Sequence, residues 1–133
     1  MKNKLLILFV ASFLSSCYST QECVCPEYYS PVCGENGETY MNPCGAECDE
    51  VDYIEGECPI YGIGQVQYSG DSLCGYYIAI FGSHYKPREL PEEYRTDNLA
   101  VTLRYRKMGA WYSCEADNST YQEIIILEIG KVL

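Results

Sequence analysis

Cysteine brings the most chemistry to this sequence: there are nine in 133 residues. Six of them, Cys23, Cys25, Cys33, Cys44, Cys48 and Cys58, crowd into one short segment, and Cys74 and Cys114 stand apart further along. Thiols at this density pair as disulfides, ligate a metal or carry a modification, and the compartment decides which. Zinc is disfavoured: the crowded segment holds no histidine, and its Cys-x-Cys and Cys-x3-Cys steps are not those of a zinc ribbon or finger. Disulfides remain, although the residues alone do not choose among the possible pairings.

An odd count leaves one cysteine over, and the first residues show which. Lys2 and Lys4 precede an apolar run from Leu5 to Leu14 and the small pair Ser15-Ser16, the layout of a secretory signal. Such a run measures about 15 Å as a helix against about 30 Å of hydrocarbon, so it reads as a processing signal and not a permanent span. Leu14-Ser15-Ser16-Cys17 resembles the bacterial lipobox, which implies acylation of Cys17, cleavage before it and lipid anchoring in the cell envelope, in the outer or the cytoplasmic membrane. The alternative is an ordinary cleavage site with a spectator cysteine. With Cys17 set aside, eight cysteines are left for four bridges in an exported protein, and Cys74–Cys114 is the pair outside the crowded segment.

The crowded segment resembles the Kazal-type serine protease inhibitors. The run Cys23-x-Cys25-x7-Cys33-x10-Cys44-x3-Cys48-x9-Cys58 has their spacing, and Pro31-Val32-Cys33-Gly34, Gly37, Thr39-Tyr40 and Asn42 stand at signature positions. The one-residue gap before Cys25 is similar to the short-spacer branch that includes the leech-derived tryptase inhibitor. The resemblance implies bridges Cys23–Cys48, Cys25–Cys44 and Cys33–Cys58, a short helix near Pro43 to Val51 and a small hairpin through Glu38 to Tyr40. It also implies a stiff, substrate-like loop after Cys25: Pro26, then Glu27 as the primary specificity residue, then Tyr28, Tyr29 and Ser30 beyond the scissile bond. Asn42 and Tyr40 are its implied supports, with the Asn42 amide bonded to backbone on both sides of that bond. The partner so implied is a serine protease.

Glu27 restricts which protease. A trypsin-type pocket contains a carboxylate and chymotrypsin- or elastase-type pockets are apolar, so burying Glu27 in either costs several kcal/mol for an unpaired charge. A glutamate-specific or subtilisin-like protease is favoured over trypsin. The competing reading is a Kazal-like module used for binding or scaffolding without inhibition.

These residues need elements to hold them. About 36 residues bury too little apolar surface to fold alone, so three bridges worth roughly 3 kcal/mol each carry much of the first module's stability. Pro43 suits a first helical position, and Glu35-Asn36-Gly37-Glu38 is a turn signal. Residues 22–58 hold ten acids and no Lys or Arg, against nine acids and seven bases in 59–133. This charge argues against nucleic acid as a partner. The cluster Asp49, Glu50, Asp52, Glu55 and Glu57 lacks an EF-hand pattern and reads as a solvated helix face, so no metal is expected.

From Pro59 onward, alternation predicts strands at Tyr61 to Ser69, Cys74 to Phe81, Asn98 to Arg106 and Tyr121 to Lys131, with a loop and a single helical turn across Lys86 to Tyr94. Ile124 to Ile129 is apolar on both faces and reads as a central or doubly covered strand. The fold class is therefore a small disulfide-rich α+β Kazal module followed by an all-β, barrel or OB-like module. The expected organisation is a signal at 1–16, a lipidated linker at 17–22, the cystine module at 23–58 and the β module at 59–133. Nine of the fourteen tyrosines lie in the second module, as core and edge packing or as a ligand face for glycan or peptide. His84 is the sole histidine, no catalytic constellation accompanies it, and neither an enzyme nor a cofactor is expected.

Overall fold

The computed structural model describes residues 22–133, so the signal and Cys17 readings lie outside the described residues. In the first module, β1 (Val32–Gly34) is the middle strand of a three-stranded antiparallel sheet, flanked by β2 (Thr39–Tyr40) and β3 (Tyr53–Glu55). The implied hairpin is β1–β2, turned by Gly37 at φ 82°. β3 was not expected, because Tyr53-Ile54-Glu55 is exposed throughout and its short run shows no alternation in burial.

The helix α1 (Pro43–Cys48) is shorter than the implied Pro43 to Val51. Asn42 caps its start, its side chain accepting from the Cys44 N–H at 3.1 Å, with Pro43 following where its missing N–H costs nothing. It ends where Glu50 takes φ 55°, with the Val51 N–H on the Ala46 carbonyl and the Glu50 N–H on the Glu47 carbonyl. That is a Schellman closure with a non-glycine in the left-handed position. The acidic cluster is consequently not a helix face, since all five of its members follow Cys48.

The second module is one five-stranded sheet. β4 (Ile60–Tyr68), β5 (Tyr76–Ile80), β6 (Ser83–Pro87), β8 (Thr120–Lys131) and β7 (Leu99–Ser113) are neighbours in that order, and β7 returns to β4 to close a barrel. β6 and β8 run parallel, so the chain crosses over between them through the single 3-10 turn at Glu92–Tyr94 and through β7. The interior is filled by Val66, Ile78, Ile80, Tyr85, Val101, Leu103, Tyr105 and Ile124, with Leu90 and Tyr94 from the crossover packed in. Gly64 makes room, because a Cβ there would lie 2.9 Å from the Ile78 side chain and the Ala79 carbonyl.

Two sequence expectations need correction. Lys86 and Pro87, expected in the loop, instead complete the strand Ser83–Pro87, which is reached by a tight turn in which Phe81 and Gly82 both have positive φ. β8 has strand neighbours on both sides, but its outer face is not covered: Leu127 is 38% exposed at a point where β8 gains one residue over β7. Most tyrosines of this module pack: Tyr85, Tyr105 and Tyr121 are buried, and Tyr76, Tyr77, Tyr94 and Tyr112 are half-buried against core clusters. His84 is exposed on β6 with its ring 5.0 Å from Tyr77.

Candidate functional site

Cystines fix both ends of the segment between Cys25 and Cys33. Cys25 is joined to Cys44 and Cys33 to Cys58, with Cα separations of 5.7 and 4.6 Å, and Cys23–Cys48 lies beside the first of these. Between them Pro26, Glu27, Tyr28, Tyr29 and Ser30 are all exposed, and Pro31 turns into the buried strand β1. A segment so anchored loses little further entropy on binding.

Asn42 is the support nearest the middle of this loop. Its Nδ2 donates to the Pro26 carbonyl at 2.9 Å and to the Tyr28 carbonyl at 3.0 Å, spanning Glu27, while its Oδ1 caps α1. At 3% exposure Asn42 is the one buried polar side chain in the core of the described residues, and it spends both donors and its acceptor on backbone. Alongside it, the Ser30 N–H bonds to the Met41 carbonyl at 2.9 Å and the Tyr28 N–H to the Pro26 carbonyl at 3.1 Å.

Tyr40 acts at one remove. Its hydroxyl accepts from Asn36 Nδ2 at 2.9 Å and donates to Asp49 at 3.1 Å, and its ring fills the space above Gly34 and Gly45, so it fixes α1 against β1 and does not reach residues 26–30 by a hydrogen bond. The Glu27 side chain has no hydrogen bond or salt bridge among the described residues and projects from the exposed loop.

Sequence reasoning did not anticipate the contact between this loop and the barrel. Between Lys107 and Trp111, β7 bulges, so that Met108, Gly109 and Ala110 face the single residue Glu123 of β8. The bulge carries Gly109 against the loop: a Cβ on it would lie 2.8 Å from Pro31 Cδ and 3.4 Å from Ser30 Cα and the Tyr29 carbonyl. Beside it the Glu57 N–H bonds to the Lys107 carbonyl at 2.8 Å, Arg106 Nη1 donates to the Glu55 carbonyl at 2.6 Å, and Gly56 sits over Met108. Gly109 carried the only visible signal: from sequence it reads as a turn after a strand ending at Arg106, whereas β7 continues through it to Ser113 with a bulge.

Tyr29 closes the arrangement. Its hydroxyl bonds to the Glu57 carboxylate, and partial burial with that neighbouring anion pushes its pKa up to about 12. Within the barrel module Cys74 is joined to Cys114, tying the β4–β5 connection to the end of β7 beneath Tyr121.

Residues 20–61 match the family model of the Kazal-type serine protease inhibitor domain. The cystine-rich first module is thus a Kazal-type domain. The human solute carrier organic anion transporter family member 1B3 is 39% identical over 54 residues, which is 40% of this chain and 8% of that protein. The mouse member 1B2 is 50% identical over 32 residues, 23% of this chain and 5% of that protein. The chain thus spans less than a tenth of the length of these curated relatives. No solved structure matches it. Among the described residues no helix is long and apolar enough to cross a membrane.

Proposed function

We propose that this protein inhibits serine proteases by offering Glu27 as the primary specificity residue, displayed outside the cytoplasm on an acyl chain carried by Cys17. The observation that carries this reading is the Asn42 amide, bonded to the carbonyls of Pro26 and Tyr28 on either side of an exposed Glu27. An attacking serine oxygen adds to the Glu27 carbonyl and expels the Tyr28 amine. That amine stays close, because the Tyr28 carbonyl is tied to Asn42 and the Ser30 N–H to Met41. Re-formation of the peptide then competes with hydrolysis of the acyl-enzyme, and the enzyme remains occupied.

The favoured targets are a glutamate-specific protease, whose pocket offers Glu27 a cation or hydrogen-bond donors, and next a subtilisin-like protease. The following module is read as an OB-like barrel, in keeping with its five closed strands. Four disulfides suit an oxidising, extracytoplasmic compartment.

The test titrates purified protein against glutamate-specific, subtilisin-like and trypsin-like proteases, beside Glu27→Lys and Glu27→Leu. Nanomolar inhibition that follows residue 27, with Glu27→Lys moving the preference to trypsin, is the expected result. Inertness of all three proteins supports a second reading, a Kazal-like binding or scaffolding module. The matched mammalian proteins favour that second reading to the extent that they are named as transporters, not inhibitors. Incorporation of an acyl-chain probe that is lost in Cys17→Ser tests the anchor.

A further inference from the structure

Positive charge is scarce in this protein and unevenly placed. Seven bases lie in 59–133, and three of them, Lys86, Arg88 and Arg95, line one open cleft of about 930 Å³ between the β4–β5 connection, the end of β6 and the crossover. Glu89 is the one acid among the residues that line it. Arg88 is already committed, its Nε donating to Glu123 at 2.9 Å, so two further cations stand against one carboxylate. Among the described residues neither Lys86 nor Arg95 forms a salt bridge, although the chain carries a net charge of −10.

Both charged ends are pinned at the wall of the cleft. The Lys86 amine donates to the carbonyls of Cys74 and Tyr76, which bracket Gly75 of that wall, and a Cβ on Gly75 would lie 3.6 Å from the amine. The Tyr112 ring lies 5.0 Å from it. Carbonyls and a ring solvate an ammonium without neutralising it, and burial accordingly pushes the Lys86 pKa down. Arg95 is exposed and its Nε donates to the Leu90 carbonyl at 2.9 Å, which leaves both Nη groups without a hydrogen bond among the described residues. Tyr68 and Tyr76, opposite each other on β4 and β5 with ring centroids 5.0 Å apart, add an aromatic wall.

We propose that this cleft binds a phosphate or sulfate ester, its oxyanion held between the Lys86 amine and the Arg95 guanidinium and its organic body against Tyr68 and Tyr76. A tetrahedral oxyanion suits the pair, since a guanidinium offers a fork of N–H donors and an ammonium a point charge. Side chains already anchored to backbone carbonyls lose less freedom when the ligand arrives. A half-buried cation with no counter-ion also gains more from an arriving anion than a fully solvated lysine does. Acids elsewhere on the chain weigh little against this, because beyond about 8 Å they are largely screened at physiological salt. None of the lining residues belongs to the reactive loop, so the site stands whether or not the protein inhibits a protease.

The test titrates the full protein calorimetrically with phenyl phosphate and with inorganic phosphate, and mixes it with phosphatidylcholine vesicles made with and without phosphatidic acid. Phenyl phosphate is expected to bind, and more tightly than inorganic phosphate. Arg95→Gln should weaken that binding about tenfold, the loss of one charge-assisted contact, with Arg95→Lys between it and the wild type. Arg104→Gln, which removes a cation outside the cleft, should leave it unchanged. Lys86→Gln should weaken it as well; because that variant removes an internal anchor, its melting is followed alongside, and the exposed Arg95 decides the matter if it fails to fold. Vesicle binding that requires phosphatidic acid and is lost in Arg95→Gln, with phenyl phosphate inert, keeps the site and places the ester on a lipid headgroup. The proposal is overturned if wild type binds none of the three probes, if inorganic phosphate binds as tightly as its ester, or if Arg104→Gln weakens binding as much as Arg95→Gln.

Discussion

Gly109 of the barrel lies flush against Pro31 of the cystine module, so close that a Cβ on the glycine would come within 2.8 Å of the proline ring. Pro31 is fully buried and its carbonyl is bonded to the Gly56 N–H, so it has little freedom to yield. Gly109→Ala is therefore expected to destabilise the protein by about 1–3 kcal/mol, the usual cost of overpacking. It should also speed cutting between Glu27 and Tyr28 by an added protease. Urea unfolding followed by mass spectrometry of the digest reads both effects. An alanine variant as stable and as resistant as the wild type would mean that the two modules merely touch.

Asn42 both caps α1 and spaces the loop, and two substitutions separate these roles. Asn42→Ala loses everything and is expected to cost about 1–3 kcal/mol, with the Pro26 and Tyr28 carbonyls released. Asn42→Asp keeps an acceptor for the Cys44 N–H but has no donor for the two carbonyls. Helix content by circular dichroism should thus survive in Asp and fall in Ala, while both variants are cut faster at residue 27. Equal resistance of Asp and wild type would show that the loop does not depend on the amide.

The cystine module was legible because its chemistry is covalent and its spacing specific; Cys25, Cys33 and Asn42 stand at positions where resemblance assigns each a role, and Pro43 agrees on local grounds with the helix start that the resemblance implies. β3 was hidden, because its three exposed residues earn their place by pairing with β1 and not by burial. β6 was hidden by Lys86-Pro87-Arg88, which reads as a loop, although the Lys86 amine is turned inward to the Cys74 and Tyr76 carbonyls and Pro87 falls on the strand's last position. The contact of Gly109 with Pro31 joins residues far apart in the chain, and no local pattern encodes such a meeting.

The Tyr29–Glu57 hydrogen bond gives the loop a pH dependence of definite sign. Burial first, and then the carboxylate partner, raise the Tyr29 pKa from 10.0 to about 12, so the folded state holds the proton more tightly than the unfolded chain. The stabilisation is complete below pH 10 and is lost as the pH rises through 12. Tyr29 is half exposed, so solvent screens the effect and it is best read as a titration, not as stability. Phenolate absorbance of wild type minus Tyr29→Phe should show a single step centred near pH 12. A step near that of free tyrosine would mean that the hydroxyl does not engage Glu57.

Cys74 and Cys114 close a loop across 40 positions of sequence, and the chain-entropy estimate for a loop of that size is about 4 kcal/mol. The cystine is buried beneath Tyr121, with Tyr77 and Tyr112 packed around it, so its removal also loosens an aromatic cluster. The double variant Cys74→Ala, Cys114→Ala is expected to melt about 15–30 °C lower, given the size of the barrel. The near-ultraviolet signal of these tyrosines should weaken before the barrel unfolds. The reactive loop is held by its own cystines, so inhibition at low temperature should be preserved. A melting temperature within a few degrees of the wild type would show that the closed order of strands, and not the cystine, sets the stability of the barrel.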